Sequence, residues 1–294
     1  MLSFTWSNVV GLSRALLALG TLSTLLFNSV DVLFYQFEEI LQNDLQKFGL
    51  FYLLKGNFVF AKILSIGVLG FVISGYYPRV SCILHWYVTA SFMNVCSIPD
   101  GGDHVSSVLS LLLIPIVVMD PRKNHWDPPV TVEKKVGSTI ASSFLMLVKL
   151  QMMAIYLHAF VAKLFVPEWT NGTATYYWLL HEYHGIHDLF AGVLGKLLSF
   201  PIPVIAVTWG TLAFEFLLAA CILLEKGSSK KQYFLWAGIS FHFGIFLIHG
   251  LGSFFLAMVS GLILYLRETE VTYEFKFAPI FTSMKNKMKV GFKK

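Results

Sequence analysis

Charge is scarce in this sequence of 294 residues: Asp, Glu, Lys and Arg together make up only 13%. A soluble domain carries about 25% charged residues, so a water-soluble enzyme of the dinucleotide-binding type is excluded. Cysteine is scarce too, and the chain has no C-x-x-C pair. We therefore predict no disulfide framework and three reduced thiols, at Cys82, Cys96 and Cys221. The lack of an H-E-x-x-H motif argues against a zinc protease.

Apolar residues dominate the composition instead. They make up 56% of the chain, and the mean hydropathy is +0.67. Long apolar runs recur throughout, as expected for helices that cross a hydrocarbon core about 30 Å thick. We predict an all-α, polytopic membrane helical bundle of about eight transmembrane helices, over residues 8–29, 58–77, 79–96, 104–120, 139–165, 202–224, 232–250 and 251–268. Only Gly250-Leu251-Gly252 separates the last two, so the count is seven or eight.

The basic residues indicate the orientation of the chain. With eight spans, the Lys/Arg clusters all fall on one side of the membrane, which the positive-inside rule identifies as cytoplasmic. We predict a multi-pass protein of the cell membrane with cytoplasmic N- and C-termini, a membrane domain over 1–270 and a basic tail over 271–294. The segment 121–137, with three prolines and mixed charge, is predicted to be a linker. The net charge of +5 then reflects contact with the lipid bilayer, and we expect no nucleic-acid partner.

Several ionisable residues lie inside predicted spans, where a charge is costly and suggests a functional site. Arg14 lies in the first span, Lys149 and Lys163 in the fifth, Glu215 in the sixth and His242 in the seventh. Because Glu215 and His242 lie on consecutive spans, they can pair with each other or with Arg14. Such pairs fix helix register as often as they perform chemistry, so we interpret Arg14, Glu215 and His242 as structural.

A turn rich in aspartate and glycine, Ile98-Pro-Asp-Gly-Gly-Asp-His104, precedes the fourth predicted span. One interpretation is structural: a tight turn followed by a helix with Asp103 as its N-cap. The other is functional: His104 faces an outward vestibule as a proton or hydrogen-bond donor. Asp100, Asp103 and His104 have metal-ligating side chains, but their spacing matches no standard metal site.

Lys163 lies at the end of the fifth predicted span, close to Trp169. A lysine at this position can extend its ammonium group to the interface beside an anchoring tryptophan. A partly desolvated lysine is also a usable general base. Three histidines follow on the same predicted side, in the run His181-Glu-Tyr-His184-Gly-Ile-His187. This run fits an interfacial helix, or a metal or proton-transfer role for His181 and His184, which can share a helix face.

Taken in order, these motifs resemble a known family. They are Arg14, H-W-Y at 85–87, I-P-D-G-G-D-H at 98–104, N-H-W at 124–126, A-K-L…W-x-x-G at 162–172, T-W-x-x-x-x-x-E at 208–215 and F-H-F-G at 241–244. The pattern, over about 5–270, resembles the horizontally transferred transmembrane domain family, and within it the sporulation-delaying protein B branch. No single motif decides this, but their order and spacing together are fairly specific.

The same superfamily includes the vitamin K-dependent gamma-glutamyl carboxylase, and this resemblance implies a chemistry. Lys163 would be the base that deprotonates a reduced quinone, and His104 would be its hydrogen-bonding partner at an outward-facing site. The spacing between K-L and W is one residue longer here, and the sequence has no counterpart of the carboxylase's large soluble region. Candidate substrate-binding residues on the same predicted side are Asp100, Asp103, Trp169, His181 and His184.

The resemblance implies a maturation factor for an exported peptide toxin or bacteriocin-like precursor, acting beside a small A-type partner protein. Three hypotheses remain open: a peptide-modifying enzyme, a non-catalytic membrane scaffold and a transporter. Transporters often contain inverted repeats, and no repeat is visible here. If Lys163 is a base, Lys163→Arg should preserve folding and abolish activity, because arginine is a poor base.

Overall fold

The computed structural model describes residues 3–37, 44–133, 135–181, 185–186 and 188–273, and these are almost entirely helical. The prediction of an all-α chain is confirmed. The longer helices are α1 (Asn8–Phe27), α2 (Phe58–Ser74), α3 (Pro78–Met93), α4 (Gly101–Val118), α5 (Val136–Leu164), α6 (Asp188–Leu198), α7 (Pro201–Ala220), α8 (Ser229–His249) and α9 (Gly252–Leu266). Short helices cover Val30–Leu33, Leu50–Leu53, Pro167–Thr170 and Ala174–Leu179, and 3-10 turns cover Asp44–Phe48 and Cys221–Leu223.

Four of these helices are long and apolar enough to cross a membrane: α1, α4, α5 and the continuous stretch Pro201–Leu223. Helices α2 and α9 are apolar but shorter. The chain reverses at Gly250, which adopts a left-handed φ of 74°. Gly238 on α8 consequently lies against Leu262 on α9, so the two helices form a hairpin. The closely spaced apolar runs at 232–250 and 251–268 are therefore separate helices.

Small residues allow the helices to pack closely around α1, which contacts α2, α4 and α9. A Cβ atom at Gly20 would lie 3.2 Å from the Ser253 carbonyl oxygen, and one at Gly261 would overlap the sulfur of Met152. The buried apolar side chains form one cluster around α1, α4, α5 and α9 and a second around α2 and α3. Cys82, Cys96 and Cys221 are free and buried, as predicted.

One end of the bundle gathers the segments that carry most of its basic residues. The N-terminal strand Phe4–Trp6 (β1) pairs antiparallel with Val130–Val132 (β2). The segments 226–231 and 267–273 lie at the same end, where Lys226 pairs with Glu270. The prediction of a linker over 121–137 is wrong, because Arg122 and His125 are buried and β2 belongs to the strand pair.

The opposite end gathers the segments between the other helix termini. Ser97 donates its backbone N–H to Leu33 O (2.8 Å), and its hydroxyl accepts from the backbone of Gln36 (3.0 Å). Ser253 at the start of α9 donates its hydroxyl to Asp100 at the start of α4. Successive long helices thus connect two distinct ends of the bundle.

Candidate functional site

Lys163 and Glu215 form an ion pair between α5 and α7. Lys163 Nζ lies 2.8 Å from both Glu215 carboxylate oxygens and 3.3 Å from Ala159 O. The side chains are 22% and 10% exposed. The three acceptors therefore fix the Lys163 side chain between the two helices.

Trp169 covers this ion pair from the segment that follows α5. Pro167 starts a short helix, and this turn brings the Trp169 ring to 5.2 Å from Lys163 Nζ, within the range of a cation–π interaction. Gly172 follows with φ of 85° and allows the chain to turn against α7. Thr175 then anchors the segment, since its backbone N–H and hydroxyl both bond Thr208 Oγ1 on α7.

The ion pair lies deep along α7. Glu215 is 14 residues after Pro201, which at 1.5 Å per residue places it about 21 Å from the start of that helix. Lys163 lies in the last turn of α5, and its contact with Glu215 places that turn beside the C-terminal half of α7. The chain that follows α5 consequently packs along α7.

A second polar pair lies on the same face of α5. The Tyr156 hydroxyl is 2.9 Å from His242 Nε2 on α8, and both side chains are buried. The His242 ring also packs edge-on against Phe254 at a centroid distance of 5.5 Å. Because Tyr156 and Lys163 are seven residues apart on α5, they lie on one face of that helix.

The predicted pairing of Arg14, Glu215 and His242 is wrong. Glu215 pairs with Lys163, and His242 pairs with Tyr156. Arg14 donates to Ser81 Oγ (2.9 Å) and lies 3.2 Å from His125 Nδ1. All three remain inside the bundle, but each bonds a side chain that neither span order nor hydropathy could have selected.

The aspartate–glycine turn caps α4 and packs against α9. Asp100, not Asp103, is the N-cap of α4: its side chain accepts from the Asp103 backbone, and Asp103 accepts from the Asp100 backbone in return. Gly102 lies directly against α9, where a Cβ atom would come within 2.5 Å of the Phe254 backbone. The capping interpretation therefore holds with the roles of the two aspartates exchanged.

His104 does not meet Lys163. It is exposed in the first turn of α4, and the described contacts of Lys163 are with Glu215, Ala159 and Trp169. The described bonding partner of Lys163 is thus Glu215, and the catalytic roles of Lys163 and His104 stay predictions.

The histidine run gives no metal site within the described part of the chain. His181 is exposed after the short helix Ala174–Leu179, and His184 lies outside the described residues. Among the residues described, no group of three or more His, Cys, Asp or Glu side chains could hold a metal ion.

Arg122 lies in a buried cluster that the sequence pattern did not predict. Its guanidinium bonds both Asp120 carboxylate oxygens, at distances from 2.7 to 3.2 Å, and three backbone carbonyls, those of Ser7, His125 and Asp127. The prolines and mixed charge of this segment suggested a linker. The N-H-W run at 124–126 was the available signal, since a histidine and a tryptophan are costly to leave without contacts in a solvated loop.

Burial also affects His125 in this cluster. Desolvation, with a smaller effect of the nearby Arg14 and Arg122 charges, lowers the pKa of His125 to about 2. The neutral ring can then accept the Arg14 hydrogen bond through Nδ1. The cluster is therefore a fixed structural unit at physiological pH.

Comparison with known proteins places the chain in a family. The sporulation-delaying protein SdpB of Bacillus subtilis (strain 168) is 32% identical over 295 residues, which cover 98% of this chain and 90% of SdpB. This chain belongs to the SdpB family. The uncharacterized protein YitO of the same organism is also 32% identical, over 278 residues that cover 92% of this chain and 89% of YitO.

No family model and no solved structure matches the chain. The wider resemblance to the horizontally transferred transmembrane domain family and to the carboxylase therefore stays a prediction. Membership of the SdpB family, with the apolar helices, identifies a membrane protein.

Proposed function

We propose that this SdpB-family protein is a membrane maturation factor for an exported peptide toxin, and that the Lys163–Glu215 pair with Trp169 is its functional site. The observation that carries the proposal is a charged pair, partly open, about 21 Å along an apolar helix. Ionisable residues at such depth are costly and tend to be retained for function. The relative's name, sporulation-delaying protein, supplies the biological class.

Eight membrane spans with both termini in the cytoplasm are part of this proposal. The two ends of the bundle support it, because the basic segments predicted to be cytoplasmic contact one another at one end. The segments predicted to be external meet at the other end. Helices α1–α5 and α7–α9 would then be the spans.

The geometry favours binding over base catalysis. A lysine that deprotonates a reduced quinone must present its amine to that substrate, whereas Lys163 Nζ is bonded to both Glu215 oxygens at 2.8 Å. The residues present therefore do not fit the quinone chemistry implied by the carboxylase resemblance, and we derive no step through a quinone. A pair with a covering tryptophan is suited to hold a peptide segment while other proteins process it.

The test is peptide maturation in cells that express a toxin precursor and the small A-type partner with or without this chain. We expect the mature secreted peptide only when the chain is present, and we expect Lys163→Met to abolish it while the protein still reaches the membrane. Lys230→Met, at an exposed lysine in the first turn of α8, is the matched control. Mature peptide in the absence of the chain would refute the proposal.

A further inference from the structure

Lys149 is an intramembrane lysine that the proposed site does not use. It lies on α5, 13 residues after Val136, and its side chain is half-buried. It makes no hydrogen bond or ion pair with any residue that the structure describes. Glu268 and Glu270 interact with its charge through space, but neither is bonded to it. A lysine with no bonded partner at this position needs an explanation, because burying such a charge is costly.

The Lys149 side chain lines a cavity of about 180 Å³. The polar wall of this cavity includes Ser142 on α5 and Lys226 from the turn before α8. Glu268 and Glu270, just after α9, also line it. The cavity lies at the end of the bundle that carries the strand pair and the basic segments.

The charged side chains around the cavity have a net excess of one positive charge. Glu270 is bonded to Lys226 at 2.8 Å, and Glu268 is paired with Lys231 at 3.4 Å. Both carboxylates thus already have a lysine partner, and Lys149 supplies the additional positive charge. The Ser142 hydroxyl beside it donates to Ser3 O (3.3 Å), so what the cavity offers an anion is the Lys149 ammonium.

An apolar surface continues from the mouth of the cavity along α5. Leu145 and Met146 line the cavity, and Met146 and Leu150 are exposed one helical turn apart on the outer face. Leu157, two turns further, is exposed as well. A free phosphate ion has no apolar part that could bind this surface, whereas the acyl chains of a lipid would lie along it.

We infer that the cavity beside Lys149 binds the phosphate of an anionic phospholipid, with the acyl chains along α5. Basic pockets between transmembrane helices at the cytoplasmic side bind lipid headgroups in this way. Phosphatidylglycerol has the required phosphodiester anion, and phosphatidylcholine of the same acyl length is the matched lipid without net charge.

The test is native mass spectrometry of the full chain, purified in detergent with an equimolar mixture of these two lipids. We expect wild type to retain phosphatidylglycerol about fivefold over phosphatidylcholine, the preference that one lysine contact provides. Lys149→Gln should bring the ratio close to one, Lys149→Arg should preserve it, and Lys230→Gln should leave it unchanged. An unchanged ratio in Lys149→Gln would overturn the inference.

Two further arms keep the inference testable. Ser142→Leu fills the cavity without changing a charge, and it should lower the ratio even if Lys149→Gln does not fold; an unchanged ratio in Ser142→Leu would contradict the site. Inorganic phosphate should fail to displace phosphatidylglycerol at millimolar concentration. Displacement by inorganic phosphate would identify a free-anion site and overturn the lipid assignment.

Discussion

Two ion pairs inside this bundle differ in how far they are buried and in how many further hydrogen bonds they make. Arg122 and Asp120 are each 2% exposed, and Arg122 makes further hydrogen bonds to three backbone carbonyls. Lys163 and Glu215 are 22% and 10% exposed, and one backbone carbonyl is their only other described hydrogen-bond partner. The first pair joins one loop to Ser7, the residue between β1 and α1, whereas the second joins α5 to α7.

The difference separates a structural role from a functional one. A buried pair whose donors and acceptors are all satisfied has no capacity left for a ligand. The Glu215 carboxylate accepts from Lys163 alone among the described residues, so it retains lone pairs for another donor. We therefore expect the Arg122 pair to determine stability and the Lys163 pair to determine maturation.

The largest expected effect is on the enclosed pair. Arg122→Gln should lower the free energy of unfolding by about 3–5 kcal/mol, because it leaves the Asp120 charge buried without a partner. Thermal unfolding of the purified protein in detergent measures this. Lys123→Gln, an exposed neighbour, should change stability by less than about 0.5 kcal/mol. Equal losses in both variants would show that the enclosed pair has no special role.

Two glycines sharpen the comparison, because both have left-handed backbones. A Cβ atom at Gly75 would lie 2.5–2.7 Å from Asn124, His125 and Trp126, whereas one at Gly172 would lie 3.2 Å from Ile205. Gly75→Ala should therefore cost about 2–4 kcal/mol and Gly172→Ala about 1–2 kcal/mol, since only the first adds overpacking to backbone strain. Thermal unfolding of both variants in detergent tests this order. A larger loss of stability in Gly172→Ala than in Gly75→Ala would contradict it.

The open pair should give a smaller loss of stability and a complete loss of function. Lys163→Met should cost about 2 kcal/mol, less than a fully buried pair, because Lys163 and Glu215 are partly exposed. Adding Glu215→Leu removes the carboxylate that has lost its lysine partner, so the double variant should regain most of that stability. Thermal unfolding in detergent measures this. Peptide maturation should not return in the double variant. Recovery of maturation together with stability would mean that the pair acts only on folding.

The enclosed cluster should also make stability depend on pH. The pKa of His125 is lowered to about 2 in the folded protein, so the unfolded chain takes up a proton there first as pH falls below about 6.5. Between pH 7.5 and 5.5 this residue should reduce the free energy of unfolding by about 1.4 kcal/mol. Comparing unfolding of wild type and His125→Asn at both pH values isolates this effect. An equal pH dependence in the two proteins would contradict the assignment.

The smallest effect on stability is expected at a solvent-exposed ion pair. Lys226 and Glu270 are 70% and 47% exposed, and exposed pairs contribute about 0–1 kcal/mol. Hydrogen bonding to Glu270 raises the pKa of Lys226, but solvent screens most of this interaction. Lys226→Gln should change the thermal midpoint by no more than about 2 °C. A loss of stability as large as that of Lys163→Met would show that solvent exposure does not determine how much each ion pair contributes to stability.

Hydropathy and charge were sufficient to predict the all-helical membrane chain, since both depend on local composition. They also selected Lys163, Trp169 and Glu215 as notable residues, because a charge in an apolar run is visible in the sequence. They could not pair them: the contact between Lys163 and Glu215 joins residues 52 positions apart across two helices.

The loop around Arg122 shows a second limit of sequence reasoning. Its prolines and charges are typical of a solvated linker, but the charges neutralise each other within the loop and the backbone pairs with the N-terminal strand. Composition records which residues are present and not which of them satisfy one another. The exchange of roles between Asp100 and Asp103 has the same origin, since either residue can cap a helix.

The central claim is that Lys163 acts as a paired cation and not as a base. Mass spectrometry of the secreted peptide from cells with wild-type protein and with Lys163→Arg tests it directly. Arginine keeps the charge and can bond Glu215, so we predict the same mature peptide, with the same mass, from both strains. Loss of the mature peptide in Lys163→Arg, with normal expression and stability, would contradict the account and identify Lys163 as a base.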